Sequence, residues 1–150
     1  MSRAGHILTW TGGVALIATA LLDSVGVAGR HLGLPLHGVI ELVQAAILIA
    51  GSVALVAATA ADSHAKVHLL VDRLSPTAKR WSGMASHLLS ALLAAALLAG
   101  GLWLSADLWH GHEISELMGV PYKMLRIIAN LSLLAVLGLF LRHAVRSLKS

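Results

Sequence analysis

The sequence predicts an all-α membrane protein with four transmembrane helices and a short cytoplasmic interfacial helix between the second and the third. Of its 150 residues, 57% are hydrophobic and only 12% are charged, whereas in soluble domains roughly half are apolar and about a quarter are charged. The mean hydropathy is +0.82, and the apolar residues fall in blocks long enough to cross a bilayer. These observations favour one membrane domain over a soluble core.

Four apolar blocks define the predicted spans within a single domain covering residues 1–150. They cover about residues 7–28, 38–61, 84–108 and 125–141. About 20 helical residues cross a hydrocarbon core of roughly 30 Å, so each block can span. The first block has an alternative interpretation as a cleaved signal peptide, since Arg3 precedes it and Ala18-Thr19-Ala20 resembles a cleavage site. We favour a span, because the apolar run continues through Val25.

Positive charges between the blocks predict the orientation, because cytoplasmic segments of membrane proteins carry an excess of Lys and Arg. Eight of the 11 Lys and Arg residues lie before the first span, between the second and third, or after the fourth, and three lie in the other two connections. The eight are Arg3, Lys66, Arg73, Lys79, Arg80, Arg142, Arg146 and Lys149, and the three are Arg30, Lys123 and Arg126. Both termini are therefore expected in the cytoplasm, and the cations indicate topology rather than nucleic-acid binding.

The segment between the second and third spans has the pattern of a short helix on the membrane surface. Apolar residues recur with helical periodicity at Val67, Leu70, Val71 and Leu74, and polar residues take the other face at His64, Lys66, His68, Asp72 and Arg73. Asp62 or Ser63 can cap its start. Ser75-Pro76 is predicted to end it and to begin the next helix, because proline suits a first helical position. Such a helix suits docking rather than catalysis.

Small residues at helical spacing occur along the third span and allow close helix contact in lipid. They are Ser86, Ser90 and Ala94, then Ala95 with Ala99, and Ala96 with Gly100. The alternative is that alanine is simply abundant in this span.

Few polar residues occur at membrane depth, where an unpaired charge costs several kcal/mol. Asp23, Arg30 and Glu41 fall on the predicted outer side, so an ion pair or small polar cluster between the first two helices is expected. The alternative is the proton or ion site of a self-contained transporter. Such a site should lie near the midplane among broken helices, and no predicted span is interrupted.

The nine histidines raise the question of a metal or haem site. His64, His68 and Asp72 would share one helix face, and His110 and His112 lie in an outer connection. Both sets are equally well explained as solvated polar residues, so no metal is predicted. A b-type haem needs facing histidines within the spans, and only His87 lies clearly inside one. Cysteine, phosphate-binding loops and catalytic constellations are lacking in the sequence, so neither an enzyme nor a cofactor is expected.

Three segments, in this order, resemble the small membrane subunit (Q subunit, small permease) of tripartite ATP-independent periplasmic (TRAP) transporters. Residues 30–42 look like the family's Arg, short apolar loop, Pro and Glu-Leu entry into the second helix. His68-Leu69-Leu70-Val71-Asp72 is similar to its H-I-x-V-D, with Leu in place of Ile. Residues 115–122 resemble its Leu-Gly-Ile-Pro stretch before the last helix, with Tyr122 where a tryptophan often lies nearby.

The resemblance implies a scaffold subunit that braces a large multi-span subunit in the lipid bilayer. That partner would carry the sodium and substrate sites and would receive carboxylate-bearing solutes from a periplasmic substrate-binding protein. The implied location is a bacterial or archaeal cytoplasmic (inner) membrane, with several spans and both termini inside. Two other functions remain open from the sequence, namely a four-helix b-type haem cytochrome and a stand-alone small exporter. The transported substrate is not predictable from this chain.

Five positions are expected to fix helix geometry and subunit contact: Arg30, Glu41, His68, Asp72 and Pro121. Each also has a local structural explanation. Arg30 and His68 can anchor at headgroups, Glu41 suits the first turn of a helix, and Pro121 suits a helix start. Asp72 can be a solvated partner of Arg73.

Overall fold

The computed structural model describes residues 3–34, 37–62 and 75–149, and within these ranges the chain forms four α-helices. They are α1 (Arg3–His31), α2 (Val39–Ala60), α3 (Pro76–Asp107) and α4 (Tyr122–Lys149). Each is long and apolar enough to cross a membrane, which confirms the four predicted transmembrane helices. The predicted interfacial helix, with His68 and Asp72, lies outside the described residues.

The helices begin where the local chemistry favours a start. Ser75 caps α3 by accepting a hydrogen bond on its hydroxyl oxygen from the Ala78 amide at 3.3 Å, and Pro76 follows at the first helical position. α3 therefore starts well before the predicted span at residue 84. α4 starts directly after Pro121, whose carbonyl accepts from the Met124 amide at 3.1 Å. Both starts agree with the sequence prediction.

The helices pack in the order α1, α2, α4, α3. Gly26 lies against Val39, and a Cβ on Gly26 would be only 2.9 Å from the Val39 side chain, so glycine permits this close approach. In the described residues, α1 and α3 share no contact comparable to those three neighbouring pairs. The arrangement is an open row of helices.

The helix termini and their connections lie at two opposite sides of the row, here named the outer end and the inner end. The outer end comprises the α1–α2 connection, residues 32–38, and the α3–α4 connection, residues 108–121. The inner end comprises the C-terminal end of α2, the start of α3 and the C-terminal part of α4. Which end faces the cytoplasm stays a prediction from the positive charges.

The buried core of the described residues is small and consists mostly of alanine. Its apolar members are Ala50, Ala91, Ala94, Leu98, Val136 and Ala144. In the most apolar window of each helix only 6–17% of the residues are buried, and large side chains such as Leu92 and Trp103 are 67% and 80% exposed. So much exposed apolar surface belongs in lipid or against another protein.

Of the small residues predicted to allow close helix contact along α3, Ala94 is buried, Ser90 and Ala95 are partly buried, and Ser86 and Ala99 are exposed. Ala91, Ala94 and Leu98 are buried, and the face that they form packs against α4, the most extensive contact in the fold. Ala96 and Gly100, which were expected to allow close helix contact, are exposed, and Gly100 has no neighbour within 4 Å of its potential Cβ position. α3 lies at one edge of the row, so among the described residues no other helix packs extensively on its opposite face.

One polar side chain deep in the fold is satisfied across two helices. Asn130 of α4 donates from its amide nitrogen to the Ser105 hydroxyl at 2.8 Å and to the Gly101 carbonyl at 3.3 Å. A Cβ on Gly101 would collide with the Asn130 carboxamide oxygen, so glycine makes room for this contact. The polar side chain at this depth therefore joins α3 to α4.

Candidate functional site

A carboxylate at the outer end holds a loop that is distant in sequence. Glu41 lies in the first turn of α2 and accepts hydrogen bonds from two consecutive backbone amides of the α3–α4 connection. The Leu117 amide is 3.1 and 3.3 Å from its two carboxylate oxygens, and the Met118 amide is 2.8 Å from Oε2. Charge-assisted hydrogen bonds of this kind are stronger than neutral ones. Glu41 therefore fastens the loop to the start of α2.

The fastened loop has a defined shape of its own. The Ser115 amide donates to the Val120 carbonyl at 3.0 Å, and the Ser115 hydroxyl accepts from the Val120 amide at 2.9 Å. The Gly119 amide donates to the Ser115 carbonyl at 3.2 Å, and Ser115 is only 2% exposed. These bonds close residues 115–120 into a compact turn, whose amides at 117 and 118 are left to point at Glu41.

Glycine is required where the two outer connections touch. Gly38 precedes α2 with φ of 88°, a left-handed conformation that other residues adopt only with strain. A Cβ at this position would lie 2.6 Å from Cγ of Met118 and 3.3 Å from Cβ of Leu117. Gly38 therefore lets the loop approach α2 closely enough for Glu41 to reach its amides.

A cavity of about 370 Å³ opens beside this contact and collects the polar residues of the outer end. Asp23 and Arg30 of α1 line it together with His37, Glu41 and Leu117. The polar cluster expected between the first two helices is present in this form. No ion pair within 4 Å joins Asp23, Arg30 and Glu41, all of which are described, because Glu41 is directed at the loop amides instead.

A second set of contacts ties the α3–α4 connection to the start of α4. Arg126 of α4 forms an ion pair with Glu113. The Lys123 ammonium lies 3.6 Å from the centre of the Trp109 ring, at the distance of a cation–π contact. The Tyr122 amide donates to the Glu113 carbonyl at 3.2 Å. The entire connection is thus anchored, to α2 on one side and to α4 on the other.

The predicted site residues fall in two groups. Arg30 and Glu41 line one cavity, and Pro121 ends the loop that Glu41 holds and precedes α4. The structure thus brings the first and third family-like segments together. His68 and Asp72 lie outside the described residues, and the role of all five positions in subunit contact stays a prediction.

Gly38 and Ser115 are not among the predicted site residues, although both stand inside the segments that carry the family resemblance. The sequence indicates Gly38 only weakly, through the position of a glycine immediately before a predicted helix. It gives no indication of Ser115, because the function of this residue depends on burial and on a turn that only the structure reveals.

The histidines of the outer loop, His110 and His112, are exposed. Within the described residues, the group able to hold a metal ion is a different one, Asp62, His87 and His143 at the inner end. The sequence pattern indicates His87 only as a haem candidate and Asp62 only as a helix cap.

Residues 7–150 match the family described as tripartite ATP-independent periplasmic transporters, DctQ component. No curated protein gives a significant match to the chain. The matched family is a transporter component rather than an enzyme family, and it implies a large membrane subunit and a binding protein as partners. Together with the four spanning helices, the match makes this a multi-pass membrane protein. The chain belongs to the DctQ family, the small membrane subunit of tripartite ATP-independent periplasmic transporters.

Proposed function

We propose that this chain is a static scaffold subunit that braces the large transport subunit of a sodium-coupled importer of carboxylate-bearing solutes. In this proposal the large subunit holds the sodium and substrate sites, and a periplasmic binding protein delivers the solute. Both termini of the chain lie in the cytoplasm, so the loop held by Glu41 is on the periplasmic side. The small subunit moves no solute by itself.

The observation that carries the scaffold role is the large exposed apolar surface on a row of continuous helices. All four described helices run without interruption, whereas ion and substrate sites in transporters are typically built from broken helices near the midplane. The side chain of Asn130, a partly buried polar residue in the α3–α4 contact, is hydrogen-bonded to Ser105 and Gly101. Nothing among the described spans resembles a transport pathway.

The fastened outer loop supports the same proposal, because a scaffold must present a fixed surface to its partner. Glu41 and the turn at residues 115–120 hold the α3–α4 connection in one shape. Leu117 and Met118 remain 61% and 48% exposed despite this fastening. Rigid apolar side chains on a held loop suit a contact with another protein better than a contact with water.

The test of this function is uptake in proteoliposomes that contain the large subunit and receive the binding protein, with an inward sodium gradient. We expect accumulation of a carboxylate solute only when this chain is present as well. Vesicles that contain this chain alone should show none. Full uptake without this chain would refute the scaffold role, and uptake by this chain alone would establish the stand-alone transporter.

A substitution at the outer loop tests the site within that assay. Glu41→Gln keeps the size of the side chain but removes the charge that two amides bind, so we expect most of the co-purification with the large subunit and most of the uptake to be lost. The matched control is Glu116→Gln, which removes a carboxylate from an exposed position of the same loop. If Glu41→Gln and Glu116→Gln co-purified with the large subunit and supported uptake equally well, the Glu41 contact would not be required for the function.

A further inference from the structure

Three potential metal ligands from three different segments meet at the inner end. Asp62 directly follows α2, His87 lies in α3 and His143 lies in α4. One ligand atom from each of the three lies within 4.8 Å of the other two. The fold therefore brings together a carboxylate and two imidazoles that are 25 and 56 residues apart along the chain.

The distance between Asp62 and His143 is too long for a direct hydrogen bond and is closer to the separation of two ligands on one metal ion. Nδ1 of His143 is 3.8 Å from Oδ1 of Asp62, and the rings of His87 and His143 are 5.6 Å apart between centres and tilted by 58°. A hydrogen bond between nitrogen and oxygen spans about 2.7–3.2 Å, so the Asp62–His143 pair is too far apart for one. Two ligands of a tetrahedral Zn²⁺ lie about 3.3 Å apart. Small side-chain movements would therefore bring all three donors to one ion.

We propose that Asp62, His87 and His143 bind a divalent first-row transition metal of the Zn²⁺ type. Imidazole nitrogen and carboxylate oxygen are the donors that such ions take in the absence of cysteine, and this chain has none. Three protein ligands leave a fourth position for water. The site belongs to the inner end and does not depend on the proposed transport function.

The surroundings of Asp62 favour a cation at this place. Its carboxylate lies just past the C-terminal end of α2, where the helix dipole is negative and disfavours an acid unless a positive charge is near. Asp62 also has φ of 49°, the left-handed conformation in which helices commonly end and which Asp adopts more readily than most residues.

The proposed ligands are exposed enough for a metal ion to reach them and buried enough to bind it firmly. The side chains of His143 and Asp62 are 15% and 37% exposed, so an ion can enter from the inner end without unfolding a helix. His143 precedes Ala144, which is 4% exposed, so this part of α4 is packed within the fold. Asp62 and His87 take part in other interactions as well. Each has a second polar atom, and metal ligands commonly use this atom for a supporting hydrogen bond.

A bound ion would connect helices that otherwise touch only in neighbouring pairs. α4 packs against both α2 and α3, and the ion would add a direct tie between α2 and α3. The expected consequence is a higher unfolding temperature in the presence of the metal, because the ion binds the folded state alone.

The experiment uses the full chain in detergent, purified with a tag that contains no histidine. Zn²⁺ is titrated while the unfolding temperature is recorded, and Co²⁺ is titrated while the visible absorption is recorded. We expect one ion per chain, a rise in the unfolding temperature with Zn²⁺, and the absorption bands of nitrogen-coordinated Co²⁺. The affinity should fall by at least about 100-fold in His87→Gln and His143→Gln, because loss of even a supporting residue costs 10–100-fold.

The matched control is the double variant His110→Gln, His112→Gln, which removes two exposed histidines from the outer end and should bind Zn²⁺ as tightly as the wild type. Asp62→Asn serves as an additional variant at the rim if a histidine variant does not fold, and it should lose binding as well. The proposal is wrong if the wild type binds neither ion. It is also wrong if folded His143→Gln or Asp62→Asn binds Zn²⁺ with wild-type affinity.

Discussion

The two ends of this small subunit are fastened by different kinds of contact. At the outer end, the carboxylate of Glu41 binds backbone amides at 2.8–3.3 Å, and the loop that it holds is closed by further bonds to its own backbone. At the inner end, Nδ1 of His143 lies 3.8 Å from Oδ1 of Asp62, and one ligand atom from each of Asp62, His87 and His143 lies within 4.8 Å of the other two. The outer contact is made by hydrogen bonds to backbone amides, whereas the inner end gathers three side chains with the donor atoms of a metal site.

Substitutions of Gly38 or Glu41 at the outer end should therefore be costly under all conditions, whereas substitutions of Asp62, His87 or His143 at the inner end should become costly only when metal is present.

Gly38→Ala should be the most destabilising change, by about 2–4 kcal/mol, because it combines left-handed strain of about 1–2 kcal/mol with a collision against Met118. Gly33→Ala is the control, since Gly33 also has a positive φ, 71°, but no atom within 4 Å of its potential Cβ. Reversible unfolding in mixed micelles measures both. If Gly38→Ala and Gly33→Ala were equally stable, the close approach of the loop to α2 would contribute nothing to the free energy of unfolding.

Asn130→Ala should cost about 1 kcal/mol, the typical value of a polar contact between membrane helices. The variant removes the bonds from α4 to Ser105 and Gly101 without changing either end of the molecule. Ser132→Ala is the comparison, because the Ser132 hydroxyl bonds only within its own helix, to the Ala129 carbonyl. If Ser132→Ala destabilised the protein as much as Asn130→Ala, the hydrogen bonds between α4 and α3 would not be the cause of the Asn130→Ala effect.

Glu113→Gln should cost about 0.5 kcal/mol, since its ion pair with Arg126 is partly exposed and therefore screened. A double-mutant cycle with Arg126→Gln isolates the pair, and its coupling energy should shrink as the salt concentration rises. A coupling energy independent of salt would show that the pair acts through packing instead.

His143→Gln in metal-free buffer should have the smallest effect, about 0.5 kcal/mol or less, because its contact with Asp62 is too long for a hydrogen bond. In the presence of Zn²⁺ the difference from the wild type should grow, since only the wild type gains the binding free energy. A large destabilisation by His143→Gln without metal would show that the contacts of the inner end, like those of the outer end, stabilise the fold without a ligand.

Much of the fold is predictable from the sequence, because hydrophobic length and capping are local properties. The four helices, the start of α3 at Ser75-Pro76 and the start of α4 after Pro121 all follow from residues next to one another. The boundaries are less predictable. α4 begins at Tyr122 and continues to Lys149, beyond the predicted span at residues 125–141, because a helix does not end where the hydrocarbon ends.

The contacts between helices were harder to predict, for two different physical reasons. Glu41 binds backbone amides 76 and 77 residues away, and a backbone amide has no residue type that a sequence pattern could reveal. Asp62 and His143 closely follow the second and fourth predicted spans and His87 lies near the start of the third. Their meeting depends on the rotation of three helices about their axes. Periodicity does not set that rotation when a helix is apolar on all sides.

The open row of four helices has a mechanical consequence. With helices about 10 Å across, a row of four displaces a patch of bilayer up to about 40 Å wide, much wider than a closed bundle of the same mass. A broad footprint resists tilting and rotation, because many lipids must rearrange before the body turns. In a complex with a partner that has a moving part, such a chain would keep the static part of the complex from tilting or rotating in the bilayer.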